Sequence, residues 1–324
     1  MISLLSHNSG VHIYVIGPDI QSQNRFLLEQ TARLYGGDCT VLNIPDFDEE
    51  RTPAQKRWPV FTIMRLFVSK IVPDTIKRIL YLDSDTFITN NIDKLWDFNM
   101  QGKLYCGVKD CIGKRYKRNI GLADSDPYIN GGVFLADLEA LRNIEISSSI
   151  RCFFRKYFYA MSYFDQDVLN HVFRGKIGIL PPEYNVMTTV VKMEYDQLCI
   201  LRRPSDYYSE EDINFAKEYP CIIHFSSHLL SIRPWYKNSE HPYAKAFQRC
   251  AGRSPWKEHI GCKSVSFHQK VITAIFHLWP AFIKKPLLYI LGFLHAVWYP
   301  ELRHLKNRTY INMHKNRLQI VNWR

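Results

Sequence analysis

Residues 78–90 read Arg-Ile-Leu-Tyr-Leu-Asp-Ser-Asp-Thr-Phe-Ile-Thr-Asn: a short apolar run, Ile79-Leu80-Tyr81-Leu82, that stops at two carboxylates, Asp83 and Asp85, one small residue apart. An apolar run of this length is a buried strand, and in open α/β folds ligands collect where such strands end. Two aspartates at i and i+2 converge on one hard divalent cation if the chain turns sharply between them. Ser84 is small enough to allow that turn. Carboxylate oxygens suit Mg²⁺ or Mn²⁺.

The sequence before this stretch has a β-α-β rhythm, the pattern of a parallel sheet with helices packed on it. Val11–Ile16 reads as a strand, Ser22–Tyr35 as a helix, and Thr40–Ile44 as the next strand. Met1–Gly10 resembles the last turns of a helix and its glycine stop, an odd opening for such a domain. Pro59–Val72 has its apolar residues at helical spacing, with Arg65 among them. Further on, Pro127–Leu138 joins a polar turn with paired Gly131-Gly132 to another apolar strand, and paired glycines let the backbone approach a ligand closely. Asp165-Gln166-Asp167-Val168-Leu169-Asn170 opens a helix for which Asp165 is the expected N-cap. Ile177–Leu180 is a strand that leads through Pro181-Pro182 to a turn at Tyr184-Asn185. Cys221–Phe225 is an apolar strand with His224 near its end, followed by Arg233-Pro234-Trp235.

At 324 residues, 46% hydrophobic and 23% charged, the chain is globular rather than disordered and long enough for one large α/β domain plus an appendage. Its eight cysteines form no CxxC pair and follow no secretory leader, so free thiols in a reducing cytoplasm are expected. The net charge of +11 is concentrated: from Ser264 onward nine basic residues face a single acid, Glu301. The body is close to neutral and carries no recognisable nucleic-acid module.

Five pieces in order, RLF…YLDSDTFI, INGGVFLADL, DQDVLN, LPPEYN and IIHF…RPW, resemble the retaining glycosyltransferases of family 8. These nucleotide-sugar transferases include bacterial lipopolysaccharide galactosyl- and glucosyltransferases and, more distantly, glycogenin. The resemblance runs from roughly Ser3 to Trp235. It implies an α/β, GT-A type fold with a mostly parallel sheet flanked by helices, and transfer of a hexosyl group from a UDP-sugar to a glycan hydroxyl with retention. It implies that Asp83, Asp85 and His224 hold Mn²⁺, with Mg²⁺ as the other candidate, and that Arg65, Ser84 and Arg233 lie near the nucleotide and diphosphate. Asn130, Gly131, Asp165 and Gln166 match positions around the donor sugar. Gln166 is a poor nucleophile, which favours a front-face reaction in which the donor phosphate helps take the acceptor proton.

Two departures from the pattern are visible. The family begins with a strand that this sequence lacks before the segment at Ser3–His7, which leaves two readings: a start assigned too far downstream, or a lost strand. After His224 the run is HFSSHLLSIRPW, with Arg233 where the family has Lys and with His228 as an alternative ligand; His224 is preferred because it ends the apolar strand. The expected division is a transferase domain at 1–253 and a basic, aromatic region at 254–324. In the latter, Leu287–Tyr299 is too short to span a bilayer. It is either an interfacial helix on the inner face of the plasma membrane, meeting anionic lipid, or a helical pair packed on the domain. Competing classes are a haloacid-dehalogenase-type phosphotransferase, whose later Lys and acidic pair cannot be placed, and a degenerate transferase kept as a scaffold.

Overall fold

The computed structural model describes residues 1–43, 64–226, 232–262 and 281–318. The expected helix beginning at residue 59 falls partly outside these ranges, as does His228. Its described part is a 3-10 turn, Met64–Phe67, and one α-turn, Val68–Ile71. Val72 is extended, as the residue before a proline must usually be.

Near the start, α1 (Ile2–Leu5) is the expected helical end, and Gly10 takes the left-handed conformation (φ +67°) that lets the chain reverse into the first strand. β1 (His12–Gly17) and β2 (Asp38–Asn43) pair in parallel and are joined by α2 (Ser22–Leu34), as the β-α-β rhythm implies. The main sheet has the order β3-β6-β5-β7, built from β3 (Arg78–Leu82), β5 (Tyr105–Lys109), β6 (Ile129–Asp137) and β7 (Ile177–Ile179). A third sheet orders β4 (Thr86–Ile88), β9 (Ile222–His224) and β8 (Val186–Met187) as β4-β9-β8. The architecture is α/β as expected, but the main sheet is mixed: β6 runs antiparallel to both β3 and β5, while β7 is parallel to β5. Flanked on both edges and covered on both faces, β6 buries all but its last residue, which is why its sequence is apolar without alternation after Asn130.

One edge of β1 and one edge of β3 have no strand beside them among the described residues. The side-chain layers continue across the break. Tyr14 and Ile16 of β1 reach the same core as Ile79 and Tyr81 of β3, and Ile13 shares the opposite core with Leu80 and Leu82.

At the other end of the chain, α7 (Ala281–Phe293) continues through a π-helical turn, Leu294–Trp298, into α8 (Tyr299–Leu318). No described helix is long and apolar enough to cross a membrane. Among the helices between are α3 (Lys114–Asn119), α4 (Ser147–Tyr157), α5 (Phe164–Val172) and α6 (Tyr195–Arg202), of which α3, α5 and α6 position the site. All eight cysteines are free thiols, as expected.

Candidate active site

The C-terminal end of β3 and the N-terminal end of β6 lie side by side because the two strands are antiparallel, and Asp83 N–H donates to the Gly132 carbonyl at 2.8 Å. The turn after Asp83 is closed by Thr86, whose N–H and hydroxyl both donate to the Asp83 carbonyl, leaving Ser84 exposed at its tip. β4 then pairs with β9 so that Thr86 faces His224, and Phe225 N–H donates to the Asp85 carbonyl at 2.9 Å. Two sheets thus meet at one point. Asp83, Asp85 and His224 each offer a ligand atom within 4.8 Å of the others.

The protonation of His224 follows from its neighbours. Asp110, the residue after β5, is buried, and its ionised carboxylate can only accept hydrogen bonds. Gln166 Nε2 donates to Asp110 Oδ2 at 2.9 Å and Asn130 Nδ2 at 3.3 Å, which fixes both amides. Asn130 Oδ1 then accepts from Gly132 N–H and from Asn185 Nδ2, each at 3.0 Å. Asn185 Oδ1 is left facing His224 Nδ1 at 3.0 Å, so Nδ1 carries a proton. The other ring nitrogen, Nε2, points at Asp85 Oδ1 (3.2 Å) and Asp83 Oδ2 (3.9 Å). A lone pair held this close to two carboxylates needs a cation between them, or a second proton in its place. The donor set therefore fits a divalent metal, and its mix of two hard oxygens and one imidazole suits Mn²⁺ as well as Mg²⁺. Burial raises the Asp85 pKa, yet its contacts with His224 and Arg233 hold it below the ordinary carboxylate value.

Around this trio the charges are closely paired. Arg65 Nη2 lies 3.1 Å from Asp83, its Nε lies 2.7 Å from Asp165, and its Nη1 donates to the Gly131 carbonyl at 2.5 Å. Tyr81 stacks under the guanidinium and donates its hydroxyl to Asp83 at 2.9 Å. Arg233 pairs with Asp85 at 3.3 Å and lies over the Trp235 ring. Gln166 Oε1 accepts from Gly131 N–H at 3.0 Å and Asn130 Nδ2 at 3.1 Å, so both of its lone pairs are in use. Arg65, Asp83, Asp85, Asn130, Gly131, Asp165, Gln166, His224 and Arg233, from five separate segments, are thus joined in one network.

One expectation is corrected. Asp165 is not the N-cap of α5: the helix begins after Tyr163, and Asp167 accepts from the N–H groups of Ser162 and Tyr163 and from the Tyr128 hydroxyl. Two residues further along, the Asp167 carboxylate folds back over the helix start, freeing Asp165 for Arg65. Burial pushes the Asp165 pKa up to about 6 although Arg65 pulls it down. The basic residues of loop 107–125, a candidate surface for an anionic acceptor, are largely engaged within the chain. Lys109 pairs with Asp206, Arg115 with Glu301 and Arg118 with Asp124, and the buried Lys117 donates to the carbonyls of Asp124 and Asp126.

Asp110 and Asn185 are site residues that the sequence reading did not single out. Asp110 had a signal, since Tyr105–Lys109 is another strand ending in an acid. Asn185 sat within the LPPEYN match without a role.

This fold and this strand-end site define a nucleotide-sugar transferase of the GT-A kind, and the solved galactosyltransferase LgtC, in complex with donor and acceptor sugar analogues, shares the fold. It has a TM-score of 0.64 at 21% identity, covering 83% of this chain and 92% of that one. The chain belongs to glycosyl transferase family 8, whose family model matches residues 1–239, and it is an enzyme of that family. Among curated relatives, general stress protein A of Bacillus subtilis (strain 168) is 24% identical over 261 residues, 79% of this chain and 87% of that protein. Lipopolysaccharide 1,2-glucosyltransferase of Escherichia coli (strain K12) is 26% identical over 212 residues, 64% of this chain and 58% of that protein. Family membership removes the phosphotransferase reading.

Proposed function

We propose that the protein transfers a hexosyl group, glucose or galactose, from a UDP-sugar to a glycan hydroxyl in lipopolysaccharide or another cell-surface polysaccharide, with retention and with Mn²⁺. The observation that carries this reading is the Asp83–Asp85–His224 trio, with His224 Nε2 directed at both carboxylates by the Asn185 bond. Resemblance to lipopolysaccharide 1,2-glucosyltransferase supports the acceptor class.

Asp83, Asp85 and His224 would hold the ion. Bound there, it supplies Lewis acidity for the departing diphosphate. Arg65 has its charge shared between Asp83 and Asp165, so its part is to keep those carboxylates apart and to anchor the Gly131 carbonyl. Gln166 holds the Gly131 backbone where the donor sugar would lie. Its carbonyl can face an oxocarbenium-like centre only by exchanging one of its present donors. With an amide at Gln166 and Asp165 tied to Arg65, a front-face reaction needs no covalent glycosyl-enzyme. Trapping such an adduct on either residue would overturn that mechanism.

The transferase unit would occupy 1–253 and the tail 254–324, whose outer face we assign to an anionic membrane surface at the inner face of the plasma membrane. Calorimetric titration of UDP with Mn²⁺ tests the donor site. Binding is expected in Mn²⁺ and lost in chelator or in the Asp83→Asn plus Asp85→Asn double variant. Binding that ignores all three changes would refute it, and no binding at all would favour the scaffold reading.

A further inference from the structure

The tail reaches the site. His295 sits in the π-helical turn Leu294–Trp298, a rare geometry that inserts one extra residue per turn and often marks functional positions. There its ring turns inward. Arg202, at the end of α6, donates through Nη1 to His295 Nε2 at 2.8 Å and to the Tyr163 hydroxyl at 3.2 Å. A guanidinium has only donors, so His295 Nε2 accepts and the ring is neutral. Tyr116 donates to the His295 carbonyl at 2.6 Å, and its oxygen lies 3.3 Å from Nδ1. Arg202 Nη2 in turn faces Asp110 Oδ1 at 3.6 Å, on the opposite side of the carboxylate from Gln166 and Asn130.

This contact is built rather than incidental. α7 approaches α6 so closely that a Cβ on Gly292 would stand 2.3 Å from the Ile200 carbonyl oxygen. Asn119 donates to the Pro300 carbonyl at 2.7 Å, Arg115 pairs with Glu301, and Asn307 bonds the backbone of Lys156 and Tyr159. The junction itself is left slack: Asp110 Oδ1 and Arg202 Nε are buried with no hydrogen bond among the described residues. A carboxylate held on one side by two amides and on the other by a loosely seated cation will shift if that cation moves.

We propose that Arg202 and His295 are positioning residues, through which the C-terminal helices hold Asp110 and, by way of it, Gln166 and Asn130 at the donor site. The inference rests on the proposed assignment of Gln166 to that site. Removing the His295 acceptor leaves a buried Arg202 proton without a partner, and the guanidinium relaxes toward another acceptor. Asp110 follows it, and the amides that hold Gly131 and Gly132 loosen.

The full-length His295→Ala variant is read in two ways. In hydrogen exchange, the amides of residues 131 and 132, held by Gln166 Oε1 and Asn130 Oδ1, should exchange at least about fivefold faster than in the wild type. Amides in the centre of the β3–β6 ladder should keep their protection. In donor hydrolysis with UDP-glucose and UDP-galactose, kcat should fall about tenfold to a hundredfold, with KM changing by a smaller factor than kcat. His295→Gln, which restores an acceptor, should recover most of both effects, and Arg202→Lys should reproduce the loss if His295→Ala does not fold. Unchanged exchange at 131 and 132, or a lower melting temperature with kcat intact, would overturn the proposal. A wild-type protein that binds no UDP would refute the proposed function instead, and the exchange measurement would still decide the coupling.

Discussion

At the scale of single residues, the site depends as much on what is absent as on what is present. Gly131 and Gly132 are neighbours in sequence, yet the space around them differs. A Cβ on Gly132 would lie 2.3 Å from His224 Cε1 and 2.8 Å from Asp83 Oδ2, between two of the three candidate ligands. A Cβ on Gly131 would meet Arg65 Nη1 at 3.3 Å and the Gln166 Cβ at 3.5 Å, contacts that a small shift relieves. Gly132→Ala should therefore push His224 and Asp83 apart and lower the Mn²⁺-dependent UDP affinity at least about tenfold, by analogy with disturbed metal-ligand supports. Its cost to stability should be about 1–3 kcal/mol, the range for overpacking. Gly131→Ala should bind UDP within about threefold of wild type, since only side-chain ends must give. Calorimetry and urea denaturation of both variants check this, and equal losses in the two would refute the steric argument. The paired glycines were legible in the sequence as a place of close approach. Which of them borders the candidate metal site was not, because that depends on β9 arriving from more than ninety residues away.

At the scale of elements, the C-terminal helices pack on the body, and the proposed membrane surface concerns the face that this packing leaves over. One face packs on the body through Gly292, His295, Ala296 and Asn307. The other presents Tyr289, Ile290, Phe293, Trp298 and Leu305, each about half exposed, with Arg303, Lys306 and Arg308 near Trp298 and Leu305 in the sequence. Large apolar groups left exposed in a row beside Lys and Arg fit the interface of an anionic bilayer, with aromatics at headgroup depth. The packed face could not be read from the sequence, since the stretch is apolar all round until the π-helical turn sorts it. Substituting Ile290, Phe293 and Trp298 together with Ser should reduce flotation with phosphatidylglycerol-containing liposomes by more than about tenfold, as three apolar anchors leave the interface. Donor hydrolysis in solution should continue, because none of the three touches the Arg202 junction. Flotation equal to wild type would remove the membrane role from this face.

At the scale of the whole molecule, the order of strands explains why sequence reading found the site before it found the sheet. Asp83, Asp85, Asn130, Gln166 and His224 each stand where an apolar run or a helix begins or ends, a local signal. The reversal of β6 is a fact of pairing that no single segment carries. Global stability should show the strain of gathering so many carboxylates. Asp165, with an ordinary pKa of 3.8 and one of about 6 when folded, binds its proton more tightly in the native state. Its contribution is then full below pH 4 and is lost as pH rises toward 6, because the unfolded chain ionises freely and the folded one must ionise in a buried place. The buried imidazoles act in the opposite sense. His295, flanked by Arg202, Tyr116 and the more distant Asp110, and His241 are both held near 4, so they cost stability as pH falls from 6.5. The wild-type profile alone mixes these terms, and the difference from Asp165→Asn isolates one of them. Between pH 4 and pH 7 the metal-free wild type should lose on the order of 2 kcal/mol relative to that variant, measured by urea denaturation at each pH. A difference that does not change with pH would mean that the Arg65 pair keeps Asp165 ionised throughout, and that its charge is available to the site at every pH at which the enzyme works.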